Sequence, residues 1–182
     1  MGPGKLLGPD SGKTIRVSLP PERQDADPAA SPAEREARRV AIRWSAGPTD
    51  ARGALEVREQ VFCREQGVPR AEEVDGLDQD ALHLVALAPG GARVIGTLRL
   101  LVSAEAAKIG RVAVERQWRG RGIASQMLEL ALARARELGC LEVRLASQLE
   151  ATGLYERAGF TVQSETFEEA GIPHVWMARP IA

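Results

Sequence analysis

Aromatic, sulfur-bearing and imidazole side chains are scarce in this chain of 182 residues, which holds three Trp, three Phe, one Tyr, two Cys and two His. Cys63 and Cys140 stand far apart, with no Cys-x-x-Cys and no paired histidines nearby. That excludes a disulfide framework and offers no zinc-site spacing, so no metal is expected and both thiols read as buried small residues. An excess of one charge is also missing. With 24 Lys+Arg against 25 Asp+Glu the formal charge is -1, unlike that of a generic polyanion binder, and nucleic acid is not an expected partner. No run approaches the ~20 apolar residues of a membrane span, and the first residues lack the apolar core of a secretory signal. No membrane partner is expected, and the cytoplasm is the expected location. Residues 1–38 lack apolar periodicity and hold much of the proline, so they read as a disordered tail in which Ser31 could cap a short helix running to Arg39. The remaining residues, 39–182, suffice for one folded domain, since 44% of the chain is hydrophobic.

What the chain does have is a strand that runs through an Arg/Gly loop straight into a helix, IGRVAVERQWRGRGIASQMLELAL, Ile109 to Leu132. Ile109, Val112 and Val114 mark the strand, while Ala124, Met127, Leu128, Ala131, Ala135 and Leu138 recur at helical spacing. The glycines let backbone approach a ligand, and the first N–H groups of the helix point back into the loop. Unpaired donors, the helix dipole and flanking arginines together make an anion site. A second segment, ATGLYERAGF, Ala151 to Phe160, reads as a short helix stopped by Gly159 and followed by a strand. It carries the single tyrosine, Tyr155, whose ring could equally pack with its hydroxyl at the surface.

The other elements are read from pattern. A strand is expected at Val40 to Ser45, a helix from Asp50 to Gln66, and an acidic loop from Gly67 to Asp80. Strands at Leu82 to Ala88 and Val94 to Val102 flank Pro89-Gly90-Gly91 and predict an antiparallel hairpin. After the loop and long helix come strands at Leu141 to Ala146, Phe160 to Glu165 and His174 to Ala178. Helices alternate with strands only late in the chain, which predicts an α+β domain with a mixed sheet and helices on both sides. Ala131 and Ala135 fit either a core or a homodimer surface.

The loop matches Gln/Arg-x-x-Gly-x-Gly/Ala in two registers, Gln117 with Gly120 and Gly122, and Arg119 with Gly122 and Ala124. With ATGLYERAGF downstream, the chain resembles the GCN5-related N-acetyltransferase (GNAT) superfamily over roughly Val40 to Pro180. The resemblance implies a central, mostly antiparallel splayed sheet with acetyl-CoA as co-substrate. It implies coenzyme contacts from Val112, Ala113 and Val114 to the pantetheine arm, and from Arg119, Gly120, Arg121, Gly122, Ile123 and Ala124 to the phosphates. It further implies Tyr155 as the acid that protonates the departing sulfur. Trp118 is expected to pack or to cover the coenzyme. The run VREQVFCREQGVPRAEEVDGLDQDALHLVA and the later EEAGIPHVWM are similar to the small bacterial ElaA-like (YjcF-like) members. That narrower resemblance places Glu65, Asp75, Asp78 and His174 along an acceptor pocket for a cationic amine; Asp75 and Asp78 could equally shape an Asx-type turn at Gly76. The base stays open among Glu65, Glu72, Glu73, Asp75, Asp78, His83 and His174, or a water relay. The implied reaction is transfer of acetyl to a primary amine of a small molecule or peptide, directly, in a ternary complex. Arg58, Phe62, Asp75, Asp78 and Arg99 also resemble the order found in acyl-homoserine-lactone synthases, although the expected tryptophan is replaced by Gly67-Val68-Pro69. A non-catalytic acyl-CoA sensor would need the same phosphate loop.

Overall fold

The computed structural model describes residues 14–17, 31, 39–104 and 106–181. Strand β1 (Ile15–Val17) pairs antiparallel with β2 (Val40–Trp44), so three residues of the segment expected as a tail form strand. Most of that segment, and the short helix expected after Ser31, lie outside the described residues. Helix α1 (Pro48–Arg58) continues into π-helical turns over Glu59–Glu65, where one α-helix was expected. The acidic loop contains a short helix α2 (Arg70–Glu73) and a 3-10 turn at Asp78–Asp80. Strands β3 (Leu82–Leu87) and β4 (Val94–Val102) form the expected hairpin, and β5 (Ala106–Val114) pairs next to β4. Helix α3 (Ile123–Glu137) comes next, then β6 (Glu142–Gln148), α4 (Thr152–Arg157), β7 (Thr161–Val162), β8 (Phe167–Glu169) and β9 (Ile172–Pro180).

Among the described residues nine strands make one sheet in the order β1-β2-β3-β4-β5-β6-β9-β7, with β8 also on β9. Each neighbouring pair is antiparallel except β5 and β6. Strand alternation sorts the apolar side chains onto two faces. On one face Leu84, Ala86, Ile95 and Leu98 pack against Met127, Leu128, Ala131 and Ala135 of α3. On the other, Val85, Leu87, Val94 and Ala113 pack against Ala54 and Val57 of α1 and Val61 of the π-helical turns. Ala131 and Ala135 are completely buried and therefore belong to the core of this chain. Cys140 is buried as expected, but Cys63 is only half-buried, because the π-helical turn directs Val61 inward instead.

The close of α3 sets the direction in which the chain enters the next strand. Cys140 N–H donates to Ala135 O at 3.0 Å and Gly139 N–H to Arg136 O at 2.9 Å, with Gly139 left-handed at φ 79°. This paired closure stops the helix and turns the chain into β6.

Candidate active site

The site begins where the sheet comes apart. β5 and β6 run parallel and pair only at Ala106, Ala107 and Lys108 with Glu142, Val143 and Arg144. Beyond Lys108 and Arg144 the strands make no ladder, and their C-terminal halves form the two lips of a split. β5 is also bulged along its other edge. Thr97 faces Ala113 and Arg99 faces Gly110, so Leu98 alone opposes Arg111 and Val112. Arg111 adopts φ 52°, a left-handed conformation costly for a residue with a Cβ. Further along, Glu115 N–H donates to Ile95 O at 2.9 Å, which makes Val114 and Gly96 a non-hydrogen-bonded pair. The N–H and C=O of Val114 therefore point away from β4, toward the split.

The loop after β5 opens onto α3 as the sequence predicts. Gly120 and Gly122 take φ 75° and 77°, and no side chain caps α3, whose first intrahelical bond runs from Gln126 N–H to Gly122 O at 3.1 Å. The N–H groups of Ile123, Ala124 and Ser125 are left at the loop, together with the positive end of the helix dipole. Arg119 does not direct its side chain into the loop. Its Nε donates to Val114 O at 2.8 Å and its Nη2 to Glu65 Oε2 at 2.6 Å. Arg121 stacks over the Trp118 ring at 4.9 Å, and Trp118 packs half-buried against the core with its indole N–H unpartnered among the described residues.

Tyr155 is fixed by the end of α4. Phe160 N–H donates to Tyr155 O at 3.0 Å and Gly159 N–H to Glu156 O at 2.9 Å, again with a left-handed glycine. That closure brings residues five apart together, and the Tyr155 and Phe160 rings meet edge to face at 6.1 Å. Tyr155 lies on the α3 side of the sheet and is 7% exposed. Burial pushes the phenol up to about 12 and keeps it protonated across the neutral range.

On the opposite, α1 side lies an ionic cluster. Arg58, 1% exposed, donates from Nε to Glu73 and from Nη1 to Asp78 Oδ1 at 2.8 Å. Arg99 grips Asp75 through two bonds, at 2.7 and 2.6 Å, and also reaches Asp78 at 3.0 Å. Arg111 donates to the carbonyls of Glu73 and Glu72, at 2.8 and 3.1 Å, and contacts Asp75 at 3.3 Å. These bonds tie α2 to the bulged strand and hold Arg111 in its left-handed conformation. Arg99 holds the Asp75 carboxyl well below the usual carboxylate range. Burial pushes Asp78 up, but Arg58 and Arg99 outweigh it and hold the group low. Asp75 also accepts from Leu77 N–H at 3.1 Å, the Asx-type turn that was the alternative reading.

The four residues expected along an acceptor pocket therefore fall into three groups, with Asp75 and Asp78 sharing Arg99. Asp75 and Asp78 face arginines, and Glu65 is paired with Arg119. His174 is one-tenth exposed, with Nδ1 2.7 Å from Ile172 O and its ring stacked on Phe167. Sequence reasoning missed the reciprocal amide pair of Gln66 and Gln148, at 3.3 and 3.0 Å, which links the end of the π-helical turns to the tip of β6. It also missed Arg111, whose role depends on a bulge that no residue type announces. Below the closed end of the split, a 640 Å³ cleft on the sheet surface is lined by Leu101, Lys108, Arg144, Gln163 and Trp176, with Lys108 Nζ 4.9 Å over the indole. Among the described residues no helix is long and apolar enough to cross a membrane.

The split, the uncapped helix over a Gly loop and the tyrosine at the end of a short helix agree with comparisons to known proteins. Residues 50–180 match the family model described as an acetyltransferase (GNAT) domain. The chain belongs to the GNAT acetyltransferases. Among relatives of this GNAT domain, the uncharacterized N-acetyltransferase YjcF of Bacillus subtilis is 32% identical over 127 residues, covering 69% of this chain and 89% of the relative. An acyl-CoA N-acyltransferase structure from Pseudomonas aeruginosa superimposes with TM-score 0.67 and 33% identity, covering 76% of this chain and 99% of that one. Escherichia coli ElaA gives TM-score 0.68 and 27% identity, covering 76% and 98%. The chain is thus a small GNAT enzyme of the bacterial kind, an N-acetyltransferase whose acetyl transfer depends on acyl-CoA.

Proposed function

We propose that this enzyme moves the acetyl group of acetyl-CoA directly onto a primary amine of a small molecule or peptide, with both substrates bound at once across the β5–β6 split. The observation that carries the reading is the split itself, with Tyr155 on the α3 side of the sheet and the cleft at Lys108 and Trp176 beside its closed end on the other. In this reading the N–H groups of Gly120 to Ala124 hold the pyrophosphate. The side chain of Arg119 is already engaged, so its contribution is through backbone, and Arg121 adds charge from its perch on Trp118. A phosphate oxygen near Trp118 would also give its buried indole N–H an acceptor, relieving a cost of about 1–3 kcal/mol.

The pantetheine arm lies along Val112, Ala113 and Val114. The Val114 carbonyl is taken by Arg119 Nε, which leaves the Val114 N–H as the group aimed at the arm. An N–H in the bulged Arg111 to Val114 segment polarises the thioester carbonyl as negative charge develops on its oxygen. Tyr155, kept as the phenol by burial, supplies a proton to the sulfur as it departs. Because the thioester is already activated, holding the amine against the carbonyl accounts for much of the rate. The amine enters from the α1 side, where the cleft at Lys108 and Trp176 accommodates the rest of the acceptor. Glu65, Asp75 and Asp78 act there through their arginines: they hold the π-helical turns, α2 and the bulged strand in place around the entrance.

Calorimetry with acetyl-CoA tests the coenzyme site. Gly120→Asp places a carboxylate, on a left-handed backbone, beside the proposed pyrophosphate and is expected to weaken binding at least about tenfold, or 1.4 kcal/mol. Unchanged affinity would put the coenzyme elsewhere.

A further inference from the structure

The chain has two histidines, and their ring hydrogen bonds are opposite in kind. His174 Nδ1 lies 2.7 Å from Ile172 O, whereas His83 uses Nε2, 2.9 Å from Asp78 O. A carbonyl only accepts, so the neutral His174 ring carries its hydrogen on Nδ1 and the neutral His83 ring on Nε2. The lone pair of His174 is therefore on Nε2, which among the described residues makes no hydrogen bond. The ring is further fixed by stacking on Phe167, at 6.0 Å and 27°, and Phe167 in turn stacks on Trp176 at 5.8 Å.

Placement separates the two rings more strongly. His174 faces Gln148 across the β6–β9 ladder, at the tip of the lip that β6 contributes to the split. On these two strands Val143, Leu145, Val175 and Met177 turn toward the α3 core, so His174, Trp176 and Gln148 share the opposite face. His83 stands on β3, with both β4 and β5 between it and the split. Tyr155 thus lies on the α3 side of the sheet and His174 on the opposite side, on β9, with only β6 between it and the split.

We infer that His174 Nε2 is the base that deprotonates the attacking amine, an assignment that rests on the acetyl-transfer reading above. The acceptor enters as the free amine, and its nitrogen lone pair forms the N–C bond at the thioester carbonyl. His174 Nε2 takes the proton that nitrogen sheds and becomes imidazolium. The C–S bond breaks with its electron pair on sulfur, which takes the Tyr155 proton. The imidazolium then returns one proton, through solvent, to the tyrosinate, and the cycle closes with amide and thiol as products.

Two measurements test this assignment. Long-range 1H–15N correlation on the full-length protein at about pH 8.5, well above the usual imidazole value of ~6.5, reads which ring nitrogen is protonated, with His83→Gln assigning the signals. The expected result is Nδ1–H for His174 and Nε2–H for His83; an Nε2–H form of His174 overturns the base. Kinetics with acetyl-CoA and the amine that wild type acetylates fastest supply the second reading. His174→Gln is expected to lose at least about 100-fold in kcat with KM for acetyl-CoA unchanged. If the variant keeps the wild-type kcat, the base is overturned and acetyl transfer stands. If wild type acetylates no amine, the acetyl-transfer reading fails and takes the base with it.

Discussion

Arg58 is the residue on which the ionic cluster on the α1 side of this fold depends. Its guanidinium is 1% exposed and divides its donors between Glu73 and Asp78, joining α1 to α2 and to the turn before β3. Replacing it with alanine leaves the Glu73 carboxylate, 4% exposed, buried without this partner. Removing one member of a buried pair costs roughly 3–5 kcal/mol, so Arg58→Ala is expected to lower the unfolding free energy measured by urea denaturation by about that amount; an unchanged midpoint would contradict the cluster. Helical spacing places Arg58 at the edge of the buried stripe of α1, but spacing alone does not reveal that it is completely enclosed, because its partners come from 15 and 20 residues away. Tyr155 was easier to read. The segment LYERAGF contains the tyrosine, the helix-stopping Gly159 and the Phe160 ring that packs on it, so the local sequence carries most of the geometry. Asp75 and Asp78 show the opposite case: acidic residues near a site are equally consistent with a substrate pocket and with arginine partners, and only three-dimensional neighbours decide.

At the level of elements, most strands rich in apolar residues were legible to within two residues at each end, whereas the strand expected from Phe160 to Glu165 is only Thr161–Val162. Val94–Val102 is among the legible ones. The Pro89-Gly90-Gly91 turn fixed its hairpin with β3, and the long helix is legible in the i, i+4 spacing of Met127, Ala131 and Ala135. Three features were not legible. The π-helical turns of Glu59–Glu65 have the composition of the α-helix they extend, and only the tertiary contacts of Val61, Glu65 and Gln66 distinguish them. β8 is three residues long, and two of the three are Glu168 and Glu169. β1 has Arg16 at its centre and lies 22 residues before the strand that it pairs with, so its partner is set by non-local pairing and not by pattern. The split belongs to this scale as well. It arises because β5 and β6 are joined through the loop and α3, which sets them parallel, and because their pairing stops after three residues.

For the whole molecule, two kinds of ionisable group set opposite pH limits. Asp75 and Asp78 are held below their ordinary values by Arg99 and Arg58, so their contribution to stability is complete above the unfolded carboxylate value of ~3.9 and is lost as the pH falls below it. Tyr155 is raised by burial, so its contribution is present below the unfolded value of ~10 and is lost as the pH rises from there toward about 12. The melting temperature is expected to stay level between about pH 5 and 9 and to fall on both sides; a melting temperature at about pH 3 equal to the plateau would contradict the arginine-held carboxylates.

Acetyl transfer from acetyl-CoA to an amine, with Tyr155 as the acid, is the reaction proposed for this enzyme. Thiol release from acetyl-CoA, measured across small amines, polyamines, amino acids, amino sugars and peptides, tests it most directly, with wild type beside Tyr155→Phe. The expected result is release that depends on the acceptor and is slowed at least about 100-fold in the mutant, with acetyl-CoA affinity nearly intact. Acetyl-CoA binding without release by any amine, or equal release by the mutant, would contradict it. The first outcome would favour a sensor, or a synthase that needs a longer acyl donor and S-adenosylmethionine; the second would remove Tyr155 from the chemistry.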